Sequence, residues 1–182
     1  MIWSNFLPRG VVEGWRVTGL NVRLGVGVAS IVLFTILWDL LGNSVSLGVA
    51  WPITGLVAAV GWARLGLSVR PMVVLMLIGF AFDSVSLAPF GVHPLVFLST
   101  YALLASIGLV IGGEMDPLTG SVLPYLGIAT GVALLWIFAS VIVSGPVEAL
   151  PLLFAGGMTA LFYLVFEGLF DLDSARTSAK GG

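Results

Sequence analysis

The chain has 182 residues, of which 59% are hydrophobic and only 9% are charged, and its formal net charge is -2. Because about a quarter of the residues in an average soluble domain are charged, this composition excludes a soluble globule and predicts an integral membrane protein. The absence of cysteine excludes disulfides and thiolate chemistry, and the small negative charge excludes a broad basic surface for nucleic acid.

The apolar segments predict one membrane-embedded domain, residues 24–170, made of six transmembrane helices. A spanning helix needs roughly 20 mostly apolar residues, and polar, proline and glycine residues divide the chain into stretches of about that length. These stretches are 24–42, 45–63, 72–88, 92–112, 119–143 and 147–170. Pro52 lies inside the second stretch and should kink that helix or delay its start, because proline removes a backbone donor that lipid cannot replace.

Lysine and arginine fall on one side of this predicted topology. They precede the first span, separate the second span from the third, or follow the sixth, as Arg9, Arg16, Arg23, Arg64, Arg70, Arg176 and Lys180. Cations in short loops stay on the cytoplasmic side during insertion. Both termini are therefore predicted to be cytoplasmic, with residues 1–23 as an arm at the headgroup boundary and 171–182 as a flexible polar tail.

Two pairs of glycines suggest how the helices approach one another. Gly108 and Gly112 share a face of the fourth span, and Gly127 and Gly131 share a face of the fifth. Such faces allow close contact between backbones. Packing within the bundle is the favoured interpretation, and a dimer or partner interface is the alternative.

The ionisable residues argue against catalysis. Asp39, Asp83 and Glu167 are the acids predicted to lie inside the membrane, and His93 is the only histidine. A serine hydrolase needs a positioned nucleophile and base, and no Gly-x-Ser-x-Gly motif lies near His93. A membrane metalloprotease needs two histidines. The sequence therefore predicts no enzymatic activity, no metal site and no cofactor.

Asp83 interrupts the third apolar segment. It lies roughly 18 Å along the helix from Pro71, past the midplane of a layer about 30 Å thick. It could capture a donor from the next helix, with His93, Ser99 and Tyr101 as candidates, or the helix could end early with Asp83 at the water boundary. A carboxylate that only caps a helix should tolerate asparagine. A contact with a partner or ligand is the third interpretation, since intramembrane acids often have one.

Three local patterns occur together between residues 52 and 93. Pro52 opens the second span, Gly79-x-x-x-Asp83 closes the third, and Phe-Gly-Val-His, residues 90–93, leads into the fourth. This combination resembles the rod shape-determining protein MreD family, small bacterial inner-membrane proteins with a proline near the start of span two, a G-x-x-x-D ending span three and a following "LG". Phenylalanine stands here where that leucine is usual.

The resemblance implies a non-enzymatic subunit of the bacterial cell-elongation machinery. Such a protein acts with MreC and links MreB filaments to the RodA glycosyltransferase and its penicillin-binding transpeptidase, which maintains cell shape. The resemblance carries over to Pro52, Gly79, Asp83 and Gly91 as structural or partner-contact positions, with His93 beside them, and to no catalytic residue.

A rival interpretation belongs to another functional class. The substrate-binding membrane subunit of an energy-coupling-factor-type vitamin transporter also has six short spans. Such a subunit would bind a small ligand in its outer half, where Asp39, Asp83 and His93 fall in the predicted topology.

The distribution of cations generates a prediction about topology. An alkaline phosphatase fusion placed after Lys180 should be inactive, because the tail is expected to stay in the cytosol. A fusion in the predicted outer loop near residue 145 should be active and serves as the control. Phosphatase activity after Lys180 would contradict both the number of spans and their orientation.

Overall fold

The protein is all-helical in the part of the chain that the structure describes. This computed structural model describes residues 19–42, 52–64, 66–86, 89–110, 117–143, 145 and 148–170. The helices are α1 (Leu20–Gly42), α2 (Thr54–Ala63), α3 (Val69–Ser86), α4 (Val92–Val110), α5 (Pro117–Val143) and α6 (Ala149–Phe170). Four of them, α1, α4, α5 and α6, are long and apolar enough to cross a membrane. The all-α class is confirmed, while the six-span count and the cytoplasmic termini stay predictions.

The helix boundaries differ from the predicted spans at two places. Helix α1 begins at Leu20, so Arg23 lies in its first turn and not in an arm that precedes it. Helix α2 has ten residues and begins at Thr54, two residues after Pro52. The rest of that predicted span, 45–51, lies outside the described residues, as do the arm up to residue 18 and the tail from 171.

Helix α2 is the centre of the bundle. It packs against each of the other five helices, and all ten of its residues are buried. Small residues make this possible: a Cβ on Gly55 would lie 2.3 Å from Cε2 of Phe97, and a Cβ on Gly61 would lie 2.4 Å from Cβ of Phe170. At about 1.5 Å per residue, the helix covers only about half of a hydrocarbon layer.

Helix α6 supports α2 at both of its ends. The backbone N–H of Ile53, just before α2, donates to Thr159 Oγ1 at 2.8 Å, and this hydroxyl donates to the Ala155 carbonyl at 2.6 Å. Just after α2, Arg64 forms an ion pair with Glu167 at 2.8 Å. Because a backbone donor left unsatisfied in an apolar interior costs several kcal/mol, Thr159 stabilises a helix that starts inside the bundle.

The close contact at Gly61 generates a prediction about stability. Gly61→Ala should lower the free energy of unfolding by about 1 to 3 kcal/mol, because the added methyl group overlaps Phe170 and overpacked cores lose about that much. The matched control is Gly157→Ala on α6, where a Cβ meets nothing within 4 Å. Thermal unfolding in detergent measures both, and equal melting temperatures for the two variants would contradict the tight packing.

Candidate functional site

A buried carboxylate joins the end of α3 to the start of α4. Asp83, in the last turn of α3, is only 2% exposed. Its Oδ2 accepts a hydrogen bond from the Gly91 N–H at 2.5 Å, and its Oδ1 accepts from the His93 N–H at 3.1 Å. The same Oδ1 lies 2.7 Å from His93 Nδ1. We call this set of contacts among Asp83, Gly91 and His93 the Asp83 clasp.

The clasp caps α4 from a different helix. The first N–H groups of a helix have no partner within it. In α4 the Val92 N–H reaches the Pro89 carbonyl at 3.3 Å, the His93 N–H reaches Asp83, and Pro94 has no N–H to satisfy. A carboxylate near a helix N-terminus also interacts favourably with the helix dipole. The sequence left several interpretations of Asp83 open, and these contacts correspond to the capture of a donor from the next helix. Helix α3 continues past Asp83 to Ser86, so it does not end at the carboxylate.

Two glycines give the clasp its geometry. A Cβ on Gly79 would lie 2.4 Å from the backbone nitrogen of Pro94, so glycine is needed for α3 to approach α4 this closely. Asp83 follows one turn later on the same face of α3. Gly91 has φ of +101°, a left-handed conformation that glycine adopts without strain and that turns the chain into α4. In the Gly79-x-x-x-Asp83 motif, the glycine thus allows α3 and α4 to come close, and the aspartate one turn later accepts the hydrogen bonds between them.

His93 is held by the clasp and by two phenylalanines. Its side chain is mostly buried, and its ring centroid lies 5.8 Å from those of Phe82 and Phe97. Nδ1 is the ring nitrogen that faces the carboxylate. Among the described residues, no group of three or more His, Asp or Glu could hold a metal ion. The chemistry that these contacts provide is the fixing of one helix end onto another.

Tyr101 does not reach the clasp. It lies about 12 Å farther along α4 than His93. Its hydroxyl donates to the Gly66 carbonyl at 2.7 Å and accepts from the Ser68 N–H at 2.9 Å. Gly66 has φ of +81° and lies in the turn between α2 and α3. The two hydrogen bonds of Tyr101 therefore hold this turn against α4. A lone tyrosine in an apolar span was the only signal in the sequence for this contact.

The predicted candidates Pro52 and Ser99 are not among the clasp contacts. Pro52 is buried just before α2, at the other end of the region covered by the family resemblance. The clasp therefore brings together Asp83, Gly91 and His93, with Gly79 one turn before Asp83, while Pro52 lies two residues before the start of the central helix.

The glycines predicted for helix packing face other helices of the same chain. A Cβ on Gly127 would lie 2.4 Å from Cδ1 of Leu104 on α4, and one on Gly131 would lie 2.4 Å from Cδ1 of Leu56 on α2. These two contacts are the intramolecular packing that was favoured. Gly108 is half-buried near the end of α4, and Gly112 lies outside the described residues.

An apolar groove of about 490 Å³ lies between α5 and α6. Neither Asp83 nor His93 lines it; its walls are Tyr125, Ile128, Ala129, Val132, Ala133, Trp136, Ala149, Leu152, Leu153, Gly156, Gly157 and Ala160. The side chain of Asp39 lies outside the described part of the chain. Of the polar residues predicted for a ligand site in the outer half, the two that the structure describes, Asp83 and His93, thus lie away from this groove.

Fold and site together define an all-helical protein with four helices suited to crossing a membrane, in which a buried carboxylate fastens α3 to α4. No protein-family model, curated protein or solved structure matches the chain.

The clasp geometry predicts a graded response at Asp83. Both carboxylate oxygens accept from backbone N–H groups, and an asparagine supplies only one acceptor while turning an NH2 group toward a donor. Asp83→Asn should therefore lower the free energy of unfolding by about 1 to 3 kcal/mol, more than simple capping would predict. Asp83→Leu should cost more, because it leaves every donor of the clasp unsatisfied.

His93→Phe is the matched control for these variants. It removes only the ring donor and keeps both backbone donors, so its effect on thermal unfolding in detergent should be smaller than that of Asp83→Leu. Unchanged stability of Asp83→Asn would contradict the two-sided acceptance.

Proposed function

We propose that the protein is a non-enzymatic inner-membrane scaffold subunit of the bacterial cell-elongation complex. It acts with MreC to couple MreB filaments to peptidoglycan synthesis by RodA and its penicillin-binding transpeptidase, and so maintains cell shape. The observation that carries the proposal is the Asp83 clasp, because Asp83 and Gly91, two of the four positions on which the resemblance to the MreD family rests, are joined by a hydrogen bond. A third position, Gly79, lies one turn before Asp83 and allows α3 to approach α4.

The chemistry of the clasp supports a scaffold over a catalyst. Each oxygen of Asp83 already accepts from a backbone N–H, and His93 Nδ1 is engaged by the same carboxylate. A general base or a nucleophile needs a group that is within reach of a substrate proton or carbon. Here these groups hold the α3–α4 hairpin together instead.

The outer surface of the bundle supports association through helix faces. Large apolar side chains are exposed along α1, α5 and α6, including Leu33, Leu126, Val141, Leu153 and Leu161. Such surfaces suit lipid tails and the spans of other membrane proteins, where association depends on packing and not on charged groups.

The vitamin-transporter subunit is the second candidate. Its supporting observation is the groove between α5 and α6, whose volume of about 490 Å³ falls in the range of small-molecule sites. It is the weaker proposal, because Asp83 and His93 are committed to the clasp and do not line the groove.

The scaffold proposal predicts co-purification with MreC in mild detergent. Asp83→Leu should reduce the recovered MreC, lower the protein's level and round the cells, because loss of the clasp loosens the α3–α4 hairpin. Val85→Ala is the matched control, since Val85 lies two residues farther along α3 and is 75% exposed. It should leave cell shape unchanged.

Two results would overturn the scaffold proposal. One is co-purification with paired ATPases and without MreC, and the other is tight binding of a vitamin by the purified chain. Full activity of Asp83→Leu in a deletion strain, at normal protein level, would show that the clasp is not needed for the function.

A further inference from the structure

One arginine at the Arg64–Glu167 end of the bundle has no acidic partner among the residues that the structure describes. Arg70, the second residue of α3, is exposed, and its NH1 group donates to the neutral Asn21 Oδ1 at 3.0 Å. Within the described ranges, no carboxylate pairs with Arg70. Arg64 differs, because its guanidinium lies 2.8 Å from Glu167.

The position of Arg70 is the boundary of an apolar layer. Asn21, which holds its guanidinium, is the second residue of α1, and the segment of α1 that is apolar enough to span a membrane begins at Leu20. Beside Arg70 in the chain, Val69 is 74% exposed and Leu67 is 50% exposed. The surface formed by Asn21, Leu67, Val69 and Arg70, here called the Arg70 surface, thus combines a fixed cation with apolar side chains.

We propose that the Arg70 surface binds the phosphate of an anionic phospholipid headgroup. A guanidinium has five N–H donors in a planar fork that matches phosphate, and one bond to Asn21 leaves the others available while limiting the orientation of the group. The exposed Leu67 and Val69 contact the start of the acyl chains. Arg70 also lies in the first turn of α3, where a cation is opposed by the helix dipole, so an anion compensates a charge that its own helix disfavours.

The test is native mass spectrometry of the purified full chain with phosphatidylglycerol and with phosphatidylcholine of the same acyl chains. The wild-type protein should retain phosphatidylglycerol preferentially. Arg70→Gln should lower phosphatidylglycerol binding about fivefold, the factor expected for one arginine beside an anionic membrane surface. Arg70→Lys keeps the charge and should keep most of the preference.

Arg64→Gln is the matched control, because it removes the same charge at the same end of the bundle from a side chain that Glu167 already engages. It should retain the preference for phosphatidylglycerol. Equal binding of the two lipids by the wild type, or an equal loss in Arg64→Gln and Arg70→Gln, would overturn the proposal. Complete displacement by millimolar inorganic phosphate would show a free-anion site instead. The measurement needs no MreC, so its outcome is independent of the proposed scaffold role.

Discussion

A single carboxylate joins α3 to α4, because it accepts hydrogen bonds from the N–H of Gly91, just before α4, and from the N–H of His93, in its first turn. Water is absent from a hydrocarbon interior, so the start of a helix there must find its acceptors within the protein. Asp83 provides them for α4. With α4 held at its start, Tyr101 lies opposite the turn between α2 and α3 and binds it as well, so the hairpin is fastened at both of its ends.

The α3–α4 hairpin packs against α2, a helix of ten residues that is too short to cross a membrane by itself. Helix α2 can be surrounded on all sides because it contains glycine and alanine where its neighbours come closest. Helix α6 contacts the residues that flank α2, through the bond from the Ile53 N–H to Thr159 and through the ion pair of Arg64 with Glu167. The long helix α6 therefore supplies polar side chains that contact the residues on either side of the short helix α2.

The distribution of polar and apolar groups also bears on function. Asp83 and Thr159 join helices through hydrogen bonds, whereas buried polar atoms of Thr54, Trp62 and Thr100 have no hydrogen-bond partner in the described part of the chain. The outward faces of α5 and α6 are apolar, and the Arg70 surface lies at one end of the bundle. The scaffold proposal and the lipid proposal both rest on these outward surfaces.

The sequence by itself determined the class of the protein and the positions of most helices. Its few charges and long apolar runs predicted an all-α membrane protein, and the bounds of α3 to α6 lie within three residues of the predicted spans. Pro52 predicted a kink or a delayed start, because a proline cannot donate a backbone hydrogen bond, and α2 begins two residues after it. The sequence also indicated that Asp83 and His93 lie close together, since only ten residues and one turn separate them.

Only the tertiary structure decided which side chains meet across the bundle. The contact of Tyr101 with the turn at Gly66, the pair of Arg64 and Glu167, and the support of Ile53 by Thr159 join residues far apart in the chain. In a soluble helix, a polar face indicates which side is buried. Helices that are apolar all round carry no such signal, because lipid and protein interior accept the same residues, and their rotation is settled by packing alone.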